Sequence, residues 1–445
     1  MSFSLPTDFI QLITSQLGEN TAVALQEALE SEAPVSLRIN TEKQKVPLIH
    51  VAENVPWCEN AYYLLERPSF AKDPLWHAGA YYVQEASSMF LAFLWKQLFK
   101  NQEDKLRVLD FCASPGGKST LLSSLLTEDD LLVSNEVIKT RIPPLFDNVC
   151  RWGKAHYVVT NHDAKDYVNL PSFFDVMVID APCSGEGMFR KDPNARKEWS
   201  LNHVNFCAIR QTKILEDILP SLRDGGIVFY STCTFNLEED EKQVQKLIDN
   251  GYELLQFEVD KSWGIDAGVG YKFFPHQAKG EGFYIACLRK PGEEKHFQTP
   301  KSKADFVPPK HKAFVNEWFT PPFEFDVIKE GEELYALPMK HLHDILYMQR
   351  RMKIYKKGVH LGKILKDSII PSHELALSLH LSKDIQRVEL EKEEAMNYLR
   401  REAISTEGFL QGWTIVTYEG LALGWAKSAG NRINNYYPKE IRLLK

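Results

Sequence analysis

Apolar positions in the first 32 residues recur at helical spacing. Phe9, Ile10, Ile13 and Leu17 fall on one face and Val23, Leu25 and Leu29 on the next, which predicts two amphipathic helices started at Pro6-Thr7 and Asn20-Thr21. Alternation at Val35, Leu37 and Ile39 predicts a short strand, and residues 62–73 read as a mixed loop. From residue 106 the pattern changes. Short, almost wholly apolar runs at 107–112, 131–136, 156–160, 174–180, 226–231 and 283–288 alternate with helical stretches at 119–126, 138–152, 204–222 and 237–250. Strands apolar on both faces need cover on both sides, so this alternation predicts an α/β core, Rossmann-like and doubly wound.

Residues 290–304 are polar and carry Pro291, Gly292 and Pro300, as a linker would. Beyond them a helix is expected at 390–402, then two β-prone runs at 413–418 and 421–427 separated by Glu419-Gly420, a hairpin signal. The expected units are a small N-terminal α+β module (1–90), the core (91–292), a first accessory module (305–375) and a last α+β module (376–445).

With 445 residues, 44% hydrophobic and 25% charged, the chain is neither a small disulfide scaffold nor a disordered one. Its net charge of −7 makes any polyanion contact a matter of local patches. Residues 291–445 hold 24 basic residues against 21 acidic; residues 1–290 hold 29 against 39. A polyanion would prefer the later part. Seven cysteines, an odd number, include no C-x-x-C pair and no histidine at metal-ligand spacing, so neither a disulfide framework nor a metal site is expected. The start lacks a signal-peptide pattern and no run approaches the ~20 apolar residues of a membrane span, so a cytoplasmic protein is expected, with no membrane contact. Nothing demands more than a monomer.

The first strand runs into Cys112-Ala113-Ser114-Pro115-Gly116-Gly117-Lys118, a glycine-rich turn that opens a helix. Backbone N–H groups can approach a ligand closely there, at the sheet edge where doubly wound folds bind nucleotides. A P-loop reading fails because Cys112 stands where its first glycine should be and Pro115 stiffens the turn. Acidic residues end four successive strands at Asp110, Glu136, Asp163 and Asp180. They suggest a nucleoside ligand with a cationic or amino-bearing group, Glu136 being about 20 residues past the turn, where a carboxylate can bind ribose hydroxyls. Cys183 and Cys233 follow strands in the same way, in Ala-Pro-Cys-Ser-Gly and Ser-Thr-Cys-Thr-Phe. A lone cysteine is more often a small buried hydrophobe. Two at the ligand-facing edge are harder to dismiss, whereas Cys58, Cys150, Cys207 and Cys287 read as structural.

Taken in order, DFCASPGGKST, SNEV, NHDA, DAPCSGEGMFRKDP, YSTCTFNLEEDE and FPHQAKGEGFYIACLRK resemble the Nop/Sun family of RNA cytosine-5 methyltransferases, and within it the bacterial 16S rRNA methyltransferase F group. Ser114 stands where that family usually has Ala. The resemblance implies an S-adenosylmethionine site at residues 112–118, with Glu136 on the ribose, Asp163 near the adenine and Asp180 near the methyl donor and target base. It also implies Cys233 as nucleophile, Cys183 as an aid to release, and a last module of the PUA type that binds RNA. Cytosine carbon 5 is too weakly nucleophilic to take a methyl group unaided, so a thiolate must first add to carbon 6. Lys118 is the expected cation that activates that thiolate.

A cytosine must be unpaired or flipped out to be attacked, so flanking RNA needs a surface. Residues 350–366 carry seven Lys or Arg and no acid, Arg350, Arg351, Lys353, Lys356 and Lys357 among them, and Arg432 and Lys439 form a second patch with Asn431, Asn434, Asn435 and Tyr436. The expected partner is 16S rRNA or the small ribosomal subunit. Two alternatives stay open. A cytosine-5 methyltransferase acting on tRNA or DNA is one, the DNA type using Cys183 as nucleophile. The other is a non-catalytic RNA-binding assembly factor.

Overall fold

In the computed structural model the described residues are 4–44, 51–100, 105–293, 295, 297–308, 315–365, 368–429 and 432–444. Lys366 and Asn431 of the two basic patches lie outside them. Helices Thr7–Leu17 and Glu19–Glu30 bury Phe9, Ile13, Leu25 and Leu29 against Phe189, Trp199 and Phe235 of the core. A four-stranded antiparallel sheet follows, ordered Val51–Asn54, Ala61–Leu64, Ser36–Ile39, Tyr81–Val83. Residues 61–64 are therefore a strand, not the start of a loop: Tyr63 and Leu64 are buried, and Ala61, Tyr62 and Tyr63 pair across Ser36–Ile39.

The core sheet is doubly wound. Its parallel heart runs Leu222–Thr232, Phe174–Asp180, Arg107–Asp110, Leu131–Asn135, Tyr157–Thr160, and Phe283–Arg289 adds antiparallel to Leu222–Thr232. Asp110, Leu109 and Val108 are wholly buried, as a central strand covered on both faces requires. The order reverses at Arg107–Asp110, whose carboxyl end carries the glycine turn, so the cleft for a nucleotide opens there. Helices differ from expectation at their starts. Ile142–Trp152 begins after a 3-10 turn because Pro143 and Pro144 lack the N–H that only a first turn can forgo, and Glu241–Asp249 starts four residues late because residues 237–240 are drawn into a turn over the cysteine loops.

The accessory region departs further. Strand Ile354–Lys357 joins the core sheet, antiparallel to Tyr157–Thr160, so residues 350–366 do not form one basic surface. Lys356 and Lys357 are 3% and 5% exposed. Lys356 pairs with Glu374 at 2.5 Å and Lys357 with Glu330, which neutralises both charges inside the protein and corrects their assignment as RNA contacts. A separate sheet packs beside them, ordered Phe325–Glu330, Glu333–Pro338, Val359–Leu365, Ser368–Pro371. The last module has helix Lys392–Arg400 and a sheet ordered Arg387–Glu389, Gly412–Tyr418, Leu421–Ala429, Arg432–Asn435. Its hairpin turns at Glu419 and Gly420, both with positive φ (48° and 74°), the backbone of a tight primed turn. No described helix is long and apolar enough to cross a membrane.

Candidate active site

The glycine turn owes its shape to Gly116, whose φ of +111° a larger residue rarely adopts, and it ends at helix Gly117–Leu125. Asp110 below it is wholly buried, and burial pushes its carboxyl up to about 7. One of its oxygens accepts from Ser119 Oγ at 2.6 Å, and the other has no partner among the described residues. Glu136 is similar at the end of the next strand: Oε1 accepts from the Ile138 N–H at 2.8 Å, while the buried Oε2 accepts no hydrogen bond among the described residues and has Arg141 Nη1 at 3.8 Å as a loose ion-pair partner. A buried acceptor left unmet beside a glycine turn suits a ligand that brings hydroxyl or amino donors. The residues therefore fit the nucleoside end of S-adenosylmethionine. Asn135 braces the cleft, its amide donating to the Phe111 and His162 carbonyls. Asp163 is exposed at the rim and caps the 3-10 turn Ala164–Asn169.

Asp180 and Lys118 form an ion pair at 2.9 Å, and the same Asp180 oxygen accepts from Ser231 Oγ at 2.7 Å. The ammonium of Lys118 lies 4.9 Å from the centre of the Phe283 ring. Among the described residues no hydrogen bond joins Lys118 to either sulfur; its ion-pair partner is Asp180. Asp180 lines a cavity of about 180 Å³ together with residues 112–115, Gly117 and Lys118. Tyr82, Gln84, Glu85 and Ser88 of the N-terminal sheet edge close its far wall. Sequence reasoning missed these four, because nothing in the pattern of that segment says which strand end it will cover.

Cys183 and Cys233 come from adjacent strand ends and their sulfurs lie 2.9 Å apart, with the Cys233 N–H also donating to Cys183 Sγ at 3.4 Å. The contact to Cys233, then burial, raises the Cys183 thiol well above the ordinary range, so it stays protonated and can donate to Cys233. Burial likewise keeps Cys112 a neutral thiol.

Two buried carboxylates hold this pair of loops, and neither was picked out from sequence. Glu186 accepts from Thr234 Oγ1 (2.5 Å), the Phe235 N–H (2.7 Å), the Asn236 N–H (3.1 Å), Asn236 Nδ2 (3.0 Å) and Trp199 Nε1 (3.0 Å). Glu239 accepts from the Ser184 N–H at 2.9 Å and from Gln211 and Asn236 amides at 2.8 Å each. The signal was there in Ser-Gly-Glu-Gly and Leu-Glu-Glu-Asp, acids in otherwise tight turns, but it does not say which acid turns inward. Of the proposed RNA contacts, Arg350, Arg351, Lys353, Arg432 and Lys439 are exposed. Arg351 lies 3.6 Å over Tyr347, and the Lys353 N–H donates to His162 Nε2 at 2.7 Å, placing that segment beside the Asn161-His162-Asp163 rim.

Comparison with known proteins covers nearly the whole chain. Residues 96–289 match the 16S rRNA methyltransferase RsmB/F family, and 5–86 the N-terminal domain of 16S rRNA methyltransferase RsmF. Residues 313–379 match the RsmF rRNA methyltransferase first C-terminal domain and 385–443 the methyltransferase RsmF PUA domain. The chain is 30% identical to ribosomal RNA small subunit methyltransferase F of Photobacterium profundum, over 98% of this chain and 97% of that one. The Vibrio cholerae protein of the same description is also 30% identical, over 99% and 98%. Among solved structures, a methyltransferase homologue from Pyrococcus horikoshii superposes with a TM-score of 0.54 at 27% identity, over 64% of this chain and 95% of that one. NSun6 from the same organism, solved with SFG, gives 0.55 at 19% identity, over 65% and 99%, and so shares the fold. The chain belongs to the ribosomal RNA small subunit methyltransferase F family.

Proposed function

We propose that this protein methylates carbon 5 of a cytosine in 16S rRNA, in the cytoplasm, through a covalent bond between Cys233 and carbon 6. The observation that carries the reading is the pair of sulfurs 2.9 Å apart beside the Lys118–Asp180 ion pair. The 2.9 Å contact lets the Cys183 S–H donate to Cys233, which favours Cys233 as the attacking sulfur. Addition to carbon 6 moves electron density onto carbon 5. Asp180 lines the cavity, where its carboxylate can hold the base's ring nitrogen or exocyclic amine and stabilise that addition. S-adenosylmethionine, when bound at residues 112–118, Glu136 and Asp163, supplies the methyl group. Once the carbon 5 proton has left to a base, the carbon–sulfur bond breaks and Cys183 stands where it can return a proton to Cys233. The RNA reading draws on the PUA-type last module and on the family's own substrate.

The test is bisulfite mapping of 16S rRNA from cells with and without the protein. One or more cytosines protected only when it is present support the reading; identical maps refute it.

A further inference from the structure

Helix Leu201–Ile218 buries Val204, Cys207, Ala208, Gln211, Leu215 and Ile218, and its Gln211 amide donates to the Pro182 carbonyl at 3.0 Å and to Glu239 at 2.8 Å. It is thus the element behind the Cys183 loop. Its other face is unusual. Phe206 and Ile209 are 64% and 72% exposed, and Asn202, Asn205 and Arg210 share that face. The turn Ala164–Asn169 packs against the helix and adds Val168, 66% exposed. Three large apolar side chains in water on neighbouring elements mark a surface that something covers.

The charge of this face says what. Residues 201–213 contain no Asp or Glu, but His203, Arg210 and Lys213, of which Lys213 is paired with Asp217 one turn on. Among the described residues no carboxylate pairs with Arg210, which precedes Gln211, the residue whose amide reaches the Cys183 loop. Asp163 and Asp166 lie at the start of the neighbouring turn, where they form its capping box and Asp166 pairs with His162. An aromatic ring, a free guanidinium and two amides without an acid suit a single strand of nucleic acid, whose bases stack and whose phosphates need cations. The helix holds the Cys183 loop through Gln211, and Arg210 is the next residue, at the border between that buried side and the exposed face.

We propose that the exposed face of helix Leu201–Ile218 docks the single-stranded RNA flanking the target nucleotide, one base stacking on Phe206 and a phosphate meeting Arg210. The proposal rests on the reading of the site as an RNA cytosine methyltransferase.

The experiment uses the full chain and 16S rRNA transcribed with 5-fluorocytidine, which blocks proton loss from carbon 5 and so traps the adduct, and with part of its uridine replaced by 4-thiouridine for photo-crosslinking. Adduct formation by the wild-type protein tests the underlying reading alone: without it that reading fails, whatever the RNA affinity. Given an adduct, crosslinks are expected on the peptide spanning residues 202–210. Phe206→Ala and Arg210→Ala should each raise the RNA concentration for half-maximal adduct by roughly fivefold or more, the loss falling on KM rather than kcat. For Arg210→Ala, log affinity should also depend on log salt with a slope shallower by about one. Both side chains are exposed, so the fold should survive, which circular dichroism checks; Val23→Ala, exposed on a distant helix, is the control. Unchanged affinity in both variants, or crosslinks only elsewhere, overturns the proposal. So does sedimentation showing that Phe206→Ala dissolves a dimer while RNA affinity is unchanged, for then the face meets a second copy.

Discussion

Replacing Glu186 examines whether the two cysteine loops are set by one buried carboxylate. The side chain is wholly buried and all five of its contacts are donors, so both oxygens must accept. Asn236 Nδ2 has further acceptors in Glu239 and Thr234, but among the described residues the Phe235 and Asn236 N–H groups and Trp199 Nε1 have only Glu186. Each buried donor left without an acceptor costs ~1–3 kcal/mol, so Glu186→Ala is expected to lose on the order of 4 kcal/mol or more. Glu186→Gln keeps one accepting oxygen and turns an amide toward donors, and should lose about half as much. Because the Gly187 N–H donates to the Cys233 carbonyl at 2.9 Å, the loosened loop also displaces the nucleophile, and kcat should fall by ~100-fold in either variant. Urea unfolding and single-turnover methylation read the two effects separately. A glutamine variant with unchanged unfolding midpoint and kcat would refute the reasoning.

Gly187→Ala probes the same junction sterically. Its Cβ would sit 2.6 Å from the Gly282 carbonyl and 3.1 Å from that of Cys233, so methylation should drop by ~100-fold while RNA binding, read by filter retention, persists. Lys356→Ala should cost about 3–5 kcal/mol in urea unfolding, because it strands Glu374, while folded protein keeps its affinity for RNA. Acid should destabilise the fold early. Burial pushes His156 and His373 down to about 3 and His77 down to about 4, so the unfolded chain takes up protons below 6.5 that the folded one refuses. The stability is present above pH 6.5 and lost as pH falls, by up to ~1.4 kcal/mol per pH unit for each group; unfolding midpoints that stay level from pH 6.5 to 4.5 would contradict this.

The core was legible because its strands are apolar on both faces and its chemistry lies in short motifs at their ends, where residues 110–118, 135–136 and 180–183 are local in sequence and in space. What is assembled from distant segments was not. Strand Ile354–Lys357 looks basic and exposed, yet its partner Tyr157–Thr160 lies about 200 residues earlier and Glu374 and Glu330 absorb its charge. The far wall of the cavity, from Tyr82 to Ser88, belongs to another module. Lys118 lines the cavity, and spacing alone could not say that Asp180 would be its ion-pair partner. Glu186 and Glu239 sat inside motifs already noted, and only the three-dimensional meeting of two loops gives them their role.

The most direct measurement is intact mass after incubation with unmodified 16S rRNA and S-adenosylmethionine, followed by ribonuclease digestion, for Cys183→Ala and Cys233→Ala side by side. The account expects the first to carry a nucleotide remnant on Cys233 and the second to carry none and to transfer no methyl groups. Wild-type methylation by Cys233→Ala, or a remnant on Cys183 instead, would contradict it.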